Sequence, residues 1–246
     1  MKLSLFVSVV VSTLISASSA ATPTGGGPEY VRLDKNDTVL LIVDIQEGLL
    51  NLVRDFDPTL YRNNYLAHAA LGKAFDMPVV LTTSAETGPN GRLPEEITAM
   101  YPDSPLVKRN GEVNAWDNEE FRKAVRATGK SQVILAGIVT DVCTAFLALS
   151  LRSEGYKVFA NVEASGTMSV LAREAANDQM RAAGVSVVSH FAIVMDLMRD
   201  WRNTPGSKEL FGYLDQYAPV IGNVVRGHRA AIQNGTLLPG QETMPA

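Results

Sequence analysis

The sequence predicts an α/β protein in which helices cover both faces of a parallel six-stranded sheet. Short apolar runs such as Thr38–Asp44 and Val133–Ala136 lack alternating polarity, which is typical of strands buried on both faces. Segments with helical periodicity, among them Pro58–Phe75, separate these runs. Such regular alternation of strand and helix favours a single parallel sheet over separate helical and sheet domains.

The predicted elements alternate from the first strand to the last helix. Pro58 suits the start of its helix, and Gly184 suits the end of another, as proline and glycine commonly do. The predicted strands are Thr38–Asp44, Pro78–Thr82, Pro105–Val107, Val133–Ala136, Tyr156–Val162 and Val185–Ser189. The predicted helices are Pro58–Phe75, Pro94–Met100, Asn118–Thr128, a segment that contains Cys143 and ends at Gly155, Ser169–Ala183, Phe191–Trp201 and Lys208–Val225.

The first residues have the pattern of a secretory signal peptide. Lys2 is followed by the apolar segment Leu3–Ile15 and then by small residues up to Ala21, the order found in such peptides. The apolar segment is shorter than the ~20 residues that a membrane span needs. We therefore expect a secreted protein that has no membrane segment after cleavage, with the mature chain beginning near Ala21 or Thr22.

The remaining chain is predicted to be one domain. Residues 1–20 form the predicted signal peptide, residues 21–30 are glycine-rich and predict a flexible linker, and residues 31–246 form a single domain with a C-terminal helical extension. Two glycosylation sequons, at Asn36 and Asn234, are compatible with secretion, although such triplets are common by chance.

The charge and cysteine content exclude several classes of protein. The formal net charge is −4, and neither a basic stripe nor a charged tail is present, so nucleic acid is not an expected partner. A single cysteine excludes both an intrachain disulfide framework and a cysteine-based zinc cluster.

That single cysteine, Cys143, is predicted to lie in the first turn of a helix that follows a buried strand. Either Thr140 or Asp141 suits the N-cap position. The partial positive charge of a helix N-terminus favours a thiolate, so this position predicts a lowered thiol pKa and a reactive sulfur. Free cysteines are more commonly small buried apolar residues, but the location favours the reactive interpretation.

Three candidate reactive groups are predicted at one edge of the sheet. Asp44 ends the first strand, Lys108 and Arg109 end the third, and Cys143 follows the fourth. Ligands of open parallel sheets bind outside the carboxyl ends of the strands. Each residue alone has a simpler explanation, as a turn cap or a solvated charge, but together they indicate a catalytic site.

These residues lie in segments that resemble a known family. Leu41–Gln46, the Lys108-Arg109 pair and Gly137–Cys143 resemble the isochorismatase-like cysteine hydrolase superfamily. Its YcaC-like branch, whose members are hydrolases of uncertain substrate, is similar in three further segments: Thr82–Gly91, Asn114–Glu119 and Arg199–Asn203. The resemblance covers about residues 31–215 and implies the isochorismatase-like hydrolase fold, which is Rossmann-like and three-layered.

The resemblance implies a catalytic triad of aspartate, a cation and cysteine. Asp44 and Cys143 match directly. The cation is Arg109 in the register of the YcaC-like branch, whereas Lys108 is the alternative, since most of the superfamily has lysine there. Neighbouring strand residues point to opposite faces, so only one of the two can face Cys143. The resemblance also implies a cis peptide near Val139, with the Val139 and Cys143 N–H groups forming an oxyanion hole.

Other residues are candidates for the substrate pocket. Gln46 is expected to orient a polar group there, although a surface role is equally compatible with the sequence. Trp116, Phe146 and Phe191 are candidates for apolar pocket walls, and they suit the core or a subunit contact equally well. Members of the YcaC-like branch form oligomers, so the resemblance implies a homo-oligomer.

Neither a metal nor another cofactor is expected. Metal-dependent amidases of the superfamily carry histidines after the second strand, whereas residues 82–104 contain none. His68, His190 and His228 are scattered and are expected to be capping or surface residues. No phosphate-binding glycine motif is present.

The favoured function is hydrolysis of an amide or related C–N bond in a small molecule through a covalent intermediate on Cys143. Isochorismate hydrolysis does not follow, because one fold and triad serve several substrates. One alternative is a secreted interaction or scavenging protein that retains the triad without turnover. A thiol-based redox protein is another alternative, but with a single cysteine it would need an external thiol.

Overall fold

A six-stranded, all-parallel sheet with strand order β3-β2-β1-β4-β5-β6 forms the centre of the fold. The computed structural model describes residues 30–240, and the sheet confirms the predicted fold class. The strands are β1 (Thr38–Val43), β2 (Val79–Ser84), β3 (Leu106–Arg109), β4 (Gln132–Gly137), β5 (Lys157–Asn161) and β6 (Ser186–Val188).

Eight α-helices accompany the strands within the described residues. They are α1 (Pro58–Phe75), α2 (Glu95–Met100), α3 (Glu119–Ala127), α4 (Ala145–Ser153), α5 (Val170–Ala182), α6 (His190–Met198), α7 (Ser207–Tyr217) and α8 (Pro219–Gln233). No helix within residues 30–240 is long and apolar enough to span a membrane. The predicted signal peptide and almost all of the predicted linker lie outside the described residues.

The central strand β1 is buried on both faces, as its apolar sequence requires. Leu40 and Ile42 pack into a cluster with α1, α6 and α7, whereas Val39, Leu41 and Val43 pack against α3, α4 and α5. This alternation follows from the two-residue period of a strand. The sheet is therefore covered by helices on both faces.

The strand register aligns the carboxyl ends of three neighbouring strands. Val43 of β1 pairs with Thr82 of β2 and with Gly137 of β4. A Cβ atom at Gly137 would lie 2.2 Å from the Val43 carbonyl oxygen, so only glycine permits this close approach of β4 to β1. The residues that follow these strands consequently emerge side by side at one edge of the sheet.

The C-terminal extension differs from the prediction of one helix over Lys208–Val225. It forms two helices, α7 and α8, which meet at Ala218 and Pro219. Proline disfavours the helical conformation in the residue before it, and Ala218 has φ −130° and ψ 64°. Pro219 thus ends one helix and begins the next.

The expectation that His68 and His190 are capping or surface residues is wrong, because both side chains are buried. The Asn161 side-chain amide donates to Nδ1 of His68 at 3.3 Å and to Nδ1 of His190 at 3.0 Å. His68 Nε2 donates to the Leu41 carbonyl at 3.1 Å. Both rings therefore accept at Nδ1, which requires neutral imidazoles. Desolvation by burial favours the same neutral state.

The C-terminal extension is fastened to this cluster through Tyr213 of α7. The Tyr213 hydroxyl donates to the Ala67 carbonyl at 2.8 Å and accepts from His190 Nε2 at 2.5 Å. The hydrogen bonds of the cluster are mutually consistent, as a buried polar network requires. His228 lies apart from it, half-buried on α8.

Acidification should destabilise the fold through these histidines. Burial lowers the pKa of His68 to about 4 and of His190 to about 3, whereas an unfolded histidine titrates near 6.5. Below pH ~6.5 the unfolded chain therefore binds more protons than the folded chain. The free energy of unfolding, measured with urea, should fall between pH 7 and pH 4 by ~3 kcal/mol for each histidine.

A matched pair of variants assigns this effect. His68→Gln should make the decline between pH 6.5 and pH 5 shallower, because one proton-linked group is gone, and His228→Gln should leave the decline as in the wild type. If His68→Gln retained the full wild-type decline, the buried cluster would not be its source.

Candidate active site

Asp44 follows β1 directly and is buried at the carboxyl edge of the sheet. Its backbone N–H donates to the Thr82 carbonyl at 3.0 Å, which extends the pairing of β1 with β2 by one residue. Its φ of 52° lies in the left-handed region, which aspartate tolerates better than most residues. The carboxylate thereby ends the central strand in an interior position.

Arg109, the last residue of β3, lies beside Asp44 and not on the surface. Its Nη2 group donates to both carboxylate oxygens of Asp44, and both side chains are fully buried. Nε donates to Thr82 Oγ1 at 2.9 Å, and Nη1 donates to the Glu112 carbonyl. These contacts fix the guanidinium across β2, from the third strand to the first.

Lys108, the alternative cation, lies outside this cluster. Its side chain is 59% exposed, and Nζ lies 3.0 Å from a carboxylate oxygen of Glu86. Since neighbouring strand residues point to opposite faces, the burial of Arg109 requires Lys108 to turn away. Of the two candidates, the structure brings Arg109 to Asp44 and Cys143.

Cys143 lies in a π-helical turn, Thr140–Thr144, which connects β4 to α4. The preceding Ile138–Val139 peptide bond is cis, as the resemblance implied. The expected N-cap at Thr140 or Asp141 is wrong, because Val139 occupies the N-cap position and no side chain caps the turn. The Asp141 carboxylate instead accepts a hydrogen bond from Thr167 Oγ1 at 2.5 Å.

The expectation of a lowered thiol pKa is also wrong. Burial raises the pKa of Cys143 to about 12, with the charge and hydrogen bond of Asp44 acting in the same direction. Arg109 and a hydrogen bond from the Val139 backbone oppose this shift but are weaker. A helix terminus favours the thiolate only by a modest amount, so desolvation next to a carboxylate outweighs it.

The pKa of Asp44 is likewise raised by burial, although Arg109 and the hydrogen bonds from Arg109 and Cys143 oppose the increase. Arg109 binds both carboxylate oxygens, which favours the ionised form. The proton of the pair therefore resides on the Cys143 sulfur, beside a carboxylate that is a stronger base than an ordinary aspartate. Such an arrangement can transfer a proton when the sulfur attacks an electrophile.

Gln46 is not a surface residue, and its role toward a substrate stays a prediction. Its side chain is fully buried, and its amide nitrogen donates to the carbonyls of Ser84 and Gly91 at 3.1 and 2.6 Å. Its amide oxygen accepts the Ser84 N–H at 2.8 Å. Both amide hydrogens are thus used to fasten the loop after β2 to the end of β1.

The aromatic candidates separate into core and exposed positions. Trp116 is buried and makes edge-on contacts with Phe121 and Tyr156. It therefore belongs to the core, which was one of the alternatives to a pocket wall. Phe146 is 40% exposed on α4, three residues after Cys143, and its role in a pocket wall stays a prediction. Phe191 is 39% exposed on α6.

Sequence reasoning missed Thr82 and Thr167. Thr82 Oγ1 accepts from Arg109 and donates to the Val107 carbonyl at 2.9 Å. The Thr167 backbone N–H donates to Asp55 at 2.8 Å, while its hydroxyl holds Asp141. Thr82 could have been recognised in the sequence, because it is a polar residue at the carboxyl end of a buried strand. Thr167 lies 26 residues from Asp141 in the sequence, and no local pattern links the two. Within residues 30–240, no cluster of three or more His, Cys, Asp or Glu side chains could hold a metal ion.

Comparisons with known proteins identify the family of the chain. A family model described as "Isochorismatase domain" matches residues 38–192. The chain belongs to the isochorismatase family. It is 53% identical over 174 residues to the probable hydrolase YcaC of Escherichia coli K12, a match that covers 71% of this chain and 84% of that protein.

Solved structures narrow the position within the isochorismatase family. The E. coli YcaC gene product, described as an octameric hydrolase of unknown specificity, matches with a TM-score of 0.80 and 48% identity, covering 83% of this chain and 99% of that one. Pseudomonas aeruginosa YcaC, solved with hexane-2,5-diol and covalent acrylamide, matches with a TM-score of 0.79 and 47% identity, covering 82% and 98%. The chain is thus a hydrolase of the YcaC-like branch.

Thr82→Val tests whether Thr82 holds the guanidinium of Arg109 in place. The substitution keeps the branched shape but leaves the buried Arg109 Nε–H without its acceptor, which should lower the free energy of unfolding by ~1–3 kcal/mol. Urea unfolding measures the loss, and Thr82→Ser, which retains the hydroxyl, is the matched control. Equal stability of the Val and Ser variants would contradict the role assigned to this hydrogen bond.

Proposed function

We propose that this isochorismatase-family hydrolase cleaves an amide or a related C–N bond of a small molecule through a covalent intermediate on Cys143. The observation that carries the proposal is the buried Asp44–Arg109 ion pair, which hydrogen-bonds to the only thiol of the chain. A nucleophile next to a base that a third group orients is the general arrangement for covalent catalysis. Cys143 supplies the nucleophile, Asp44 the base and Arg109 the orienting group.

The first half of the reaction forms a thioester. Asp44 accepts the thiol proton while the Cys143 sulfur attacks the carbonyl carbon, and the carbonyl oxygen becomes an oxyanion. The backbone N–H groups of Val139 and Cys143 are the proposed donors to that oxyanion; the Val139 backbone already contacts the sulfur. Collapse of this intermediate breaks the C–N bond, and the protonated Asp44 gives its proton to the departing amine.

The second half releases the acid. Asp44, again ionised, accepts a proton from water while the water oxygen attacks the thioester carbon. The C–S bond then breaks, and the sulfur recovers its proton from Asp44, so the site returns to its starting state. Arg109 transfers no proton in either half, because its guanidinium stays charged. Its role is to orient Asp44 and to keep that carboxylate ionised.

Amide hydrolysis by the wild type and three variants tests these roles. Over a panel of small amides, Cys143→Ala and Asp44→Asn should each lose about 10⁴-fold or more in kcat/KM, as is usual for members of one catalytic unit. Lys108→Ala is the matched control and should keep near wild-type activity, because that side chain pairs with Glu86 outside the site. Unchanged hydrolysis in Cys143→Ala would refute the nucleophile assignment.

The pH profile tests the base separately. Since Asp44 must be ionised to accept the thiol proton, kcat/KM should fall as pH decreases through the raised pKa of Asp44. A chelator should leave activity unchanged, because the proposed steps use protein groups alone and residues 82–104 contain no histidine. Loss of activity with a chelator, restored by added metal, would contradict the metal-free reaction.

A homo-oligomer is part of the proposal, since the E. coli relative is described as octameric. The Pseudomonas relative was solved with covalent acrylamide, so a protein of this branch can react covalently with a small uncharged molecule. Sedimentation equilibrium of the purified chain measures the assembly, and a monomer at micromolar concentration would contradict it.

Secretion remains a proposal based on the sequence of residues 1–20. Expression of the full chain in a secreting eukaryotic host should yield extracellular protein whose N-terminus is near Ala21 or Thr22, because the small residues there suit signal peptidase. N-terminal sequencing measures the cleavage position. An intact Met1 on protein that stays inside the cell would contradict the signal peptide.

A further inference from the structure

We propose that the site selects uncharged carbonyl substrates and excludes those that carry a carboxylate or another anionic group near the reacting carbon. This inference rests on the proposed function, and it names the substrate class for the same nucleophile. The inference is based on the ion pairs around the Cys143 sulfur, in which the charged groups already have partners within the protein.

Arg109, the cation at the site, already uses its N–H groups for hydrogen bonds within the protein. Its Nη2 group is bound to both oxygens of Asp44, its Nε to Thr82, and its Nη1 to the Glu112 carbonyl. Recognition of a carboxylate by arginine uses two parallel N–H groups on one edge of the guanidinium. Each of the three Arg109 nitrogens already donates to a protein oxygen, and the side chain is completely buried, so a substrate carboxylate finds no edge with two free N–H groups.

The charged side chains near the Cys143 sulfur offer no unpaired cation to an anionic substrate. Asp44 and Arg109 act on the Cys143 thiol with opposite charges, and the effect of Asp44 is the larger of the two. Lys108, the neighbouring cation, is directed away and pairs with Glu86. Asp141 adds a further carboxylate to the turn that carries Cys143. An anionic substrate would therefore lose hydration beside carboxylates without gaining a cation, which is unfavourable.

The charge of the bound molecule changes during the proposed reaction, from an uncharged amide to a carboxylate product. An uncharged amide enters a site whose charged groups are paired, and the transient oxyanion is stabilised by backbone N–H groups, which need no permanent cation. Hydrolysis then turns the uncharged substrate into a carboxylate. That product meets the Asp44 carboxylate, so the same charge arrangement that admits the substrate favours release of the acid.

Two alkylating reagents of nearly equal size test the inference without knowledge of the substrate. Iodoacetamide is uncharged and iodoacetate is an anion, and Cys143 is the only cysteine, so the mass gain of the intact protein reports on one thiol. The rate ratio of iodoacetamide to iodoacetate is measured at one pH for the protein and for N-acetylcysteine amide. Cys143→Ala provides the background from other side chains.

We expect the ratio at Cys143 to exceed that of the small thiol by about tenfold or more, which corresponds to ~1.4 kcal/mol of charge discrimination. Asp44→Asn should reduce the discrimination at least several-fold, because it removes the repelling carboxylate and leaves Arg109 uncompensated. Lys108→Ala should leave the ratio at its wild-type value.

The outcomes separate this inference from the proposed function. A protein ratio equal to or below that of the small thiol overturns the charge selection and leaves the nucleophile intact. Failure of both reagents to modify Cys143, even at pH 9, also overturns the charge selection, because access to the thiol then limits both reagents regardless of charge. A thiol with a raised pKa alkylates slowly, so the proposed function is decided separately, by amide hydrolysis in the wild type and in Cys143→Ala. If Asp44→Asn does not fold, the wild-type ratio alone decides, since it needs no variant.

Discussion

The buried ion pair between Asp44 and Arg109 is the interaction on which the rest of the site depends. It joins the end of the central strand β1 to the end of the edge strand β3, across Thr82 of the strand between them. Removal of one partner from such a pair leaves an uncompensated charge in the interior, which typically costs ~3–5 kcal/mol. The groups that we assign to catalysis therefore also hold the carboxyl edge of the sheet together.

The same burial explains why the thiol is protected at rest. Oxidation and alkylation of cysteine proceed through the thiolate, and burial beside Asp44 raises the pKa of Cys143 to about 12. A neutral thiol next to a strengthened base becomes nucleophilic when an electrophile is present to accept the sulfur electrons. In the proposed mechanism, one cysteine thus combines low reactivity toward chance oxidants with reactivity toward a bound carbonyl.

The sequence predicted the elements and the site edge because both depend on local patterns. Apolar runs predicted the strands, and the residues after them, Asp44 and Cys143, were therefore assigned to the site. The resemblance already favoured Arg109 over Lys108, and the structure places Arg109 beside Asp44. The direction of the thiol pKa, by contrast, needed the depth of burial. The histidine cluster was not predictable, since His68 and Asn161 are 93 residues apart and no local pattern links them. Pro219, by contrast, was a visible signal for the break between α7 and α8.

The buried ion pair also limits which residues near the site can be substituted. Asp44 and Arg109 cannot change without loss of the fold's interior charge balance, so discrimination among uncharged substrates has to come from side chains outside the pair. α5 packs against the turn that carries Cys143, and the residues at its start, Val170 and Leu171, are exposed, as is Phe146 on α4. Substitutions at exposed apolar positions usually change stability by less than ~0.5 kcal/mol. These positions can therefore be substituted at little cost to the fold, while the ion pair and the sheet edge stay constant.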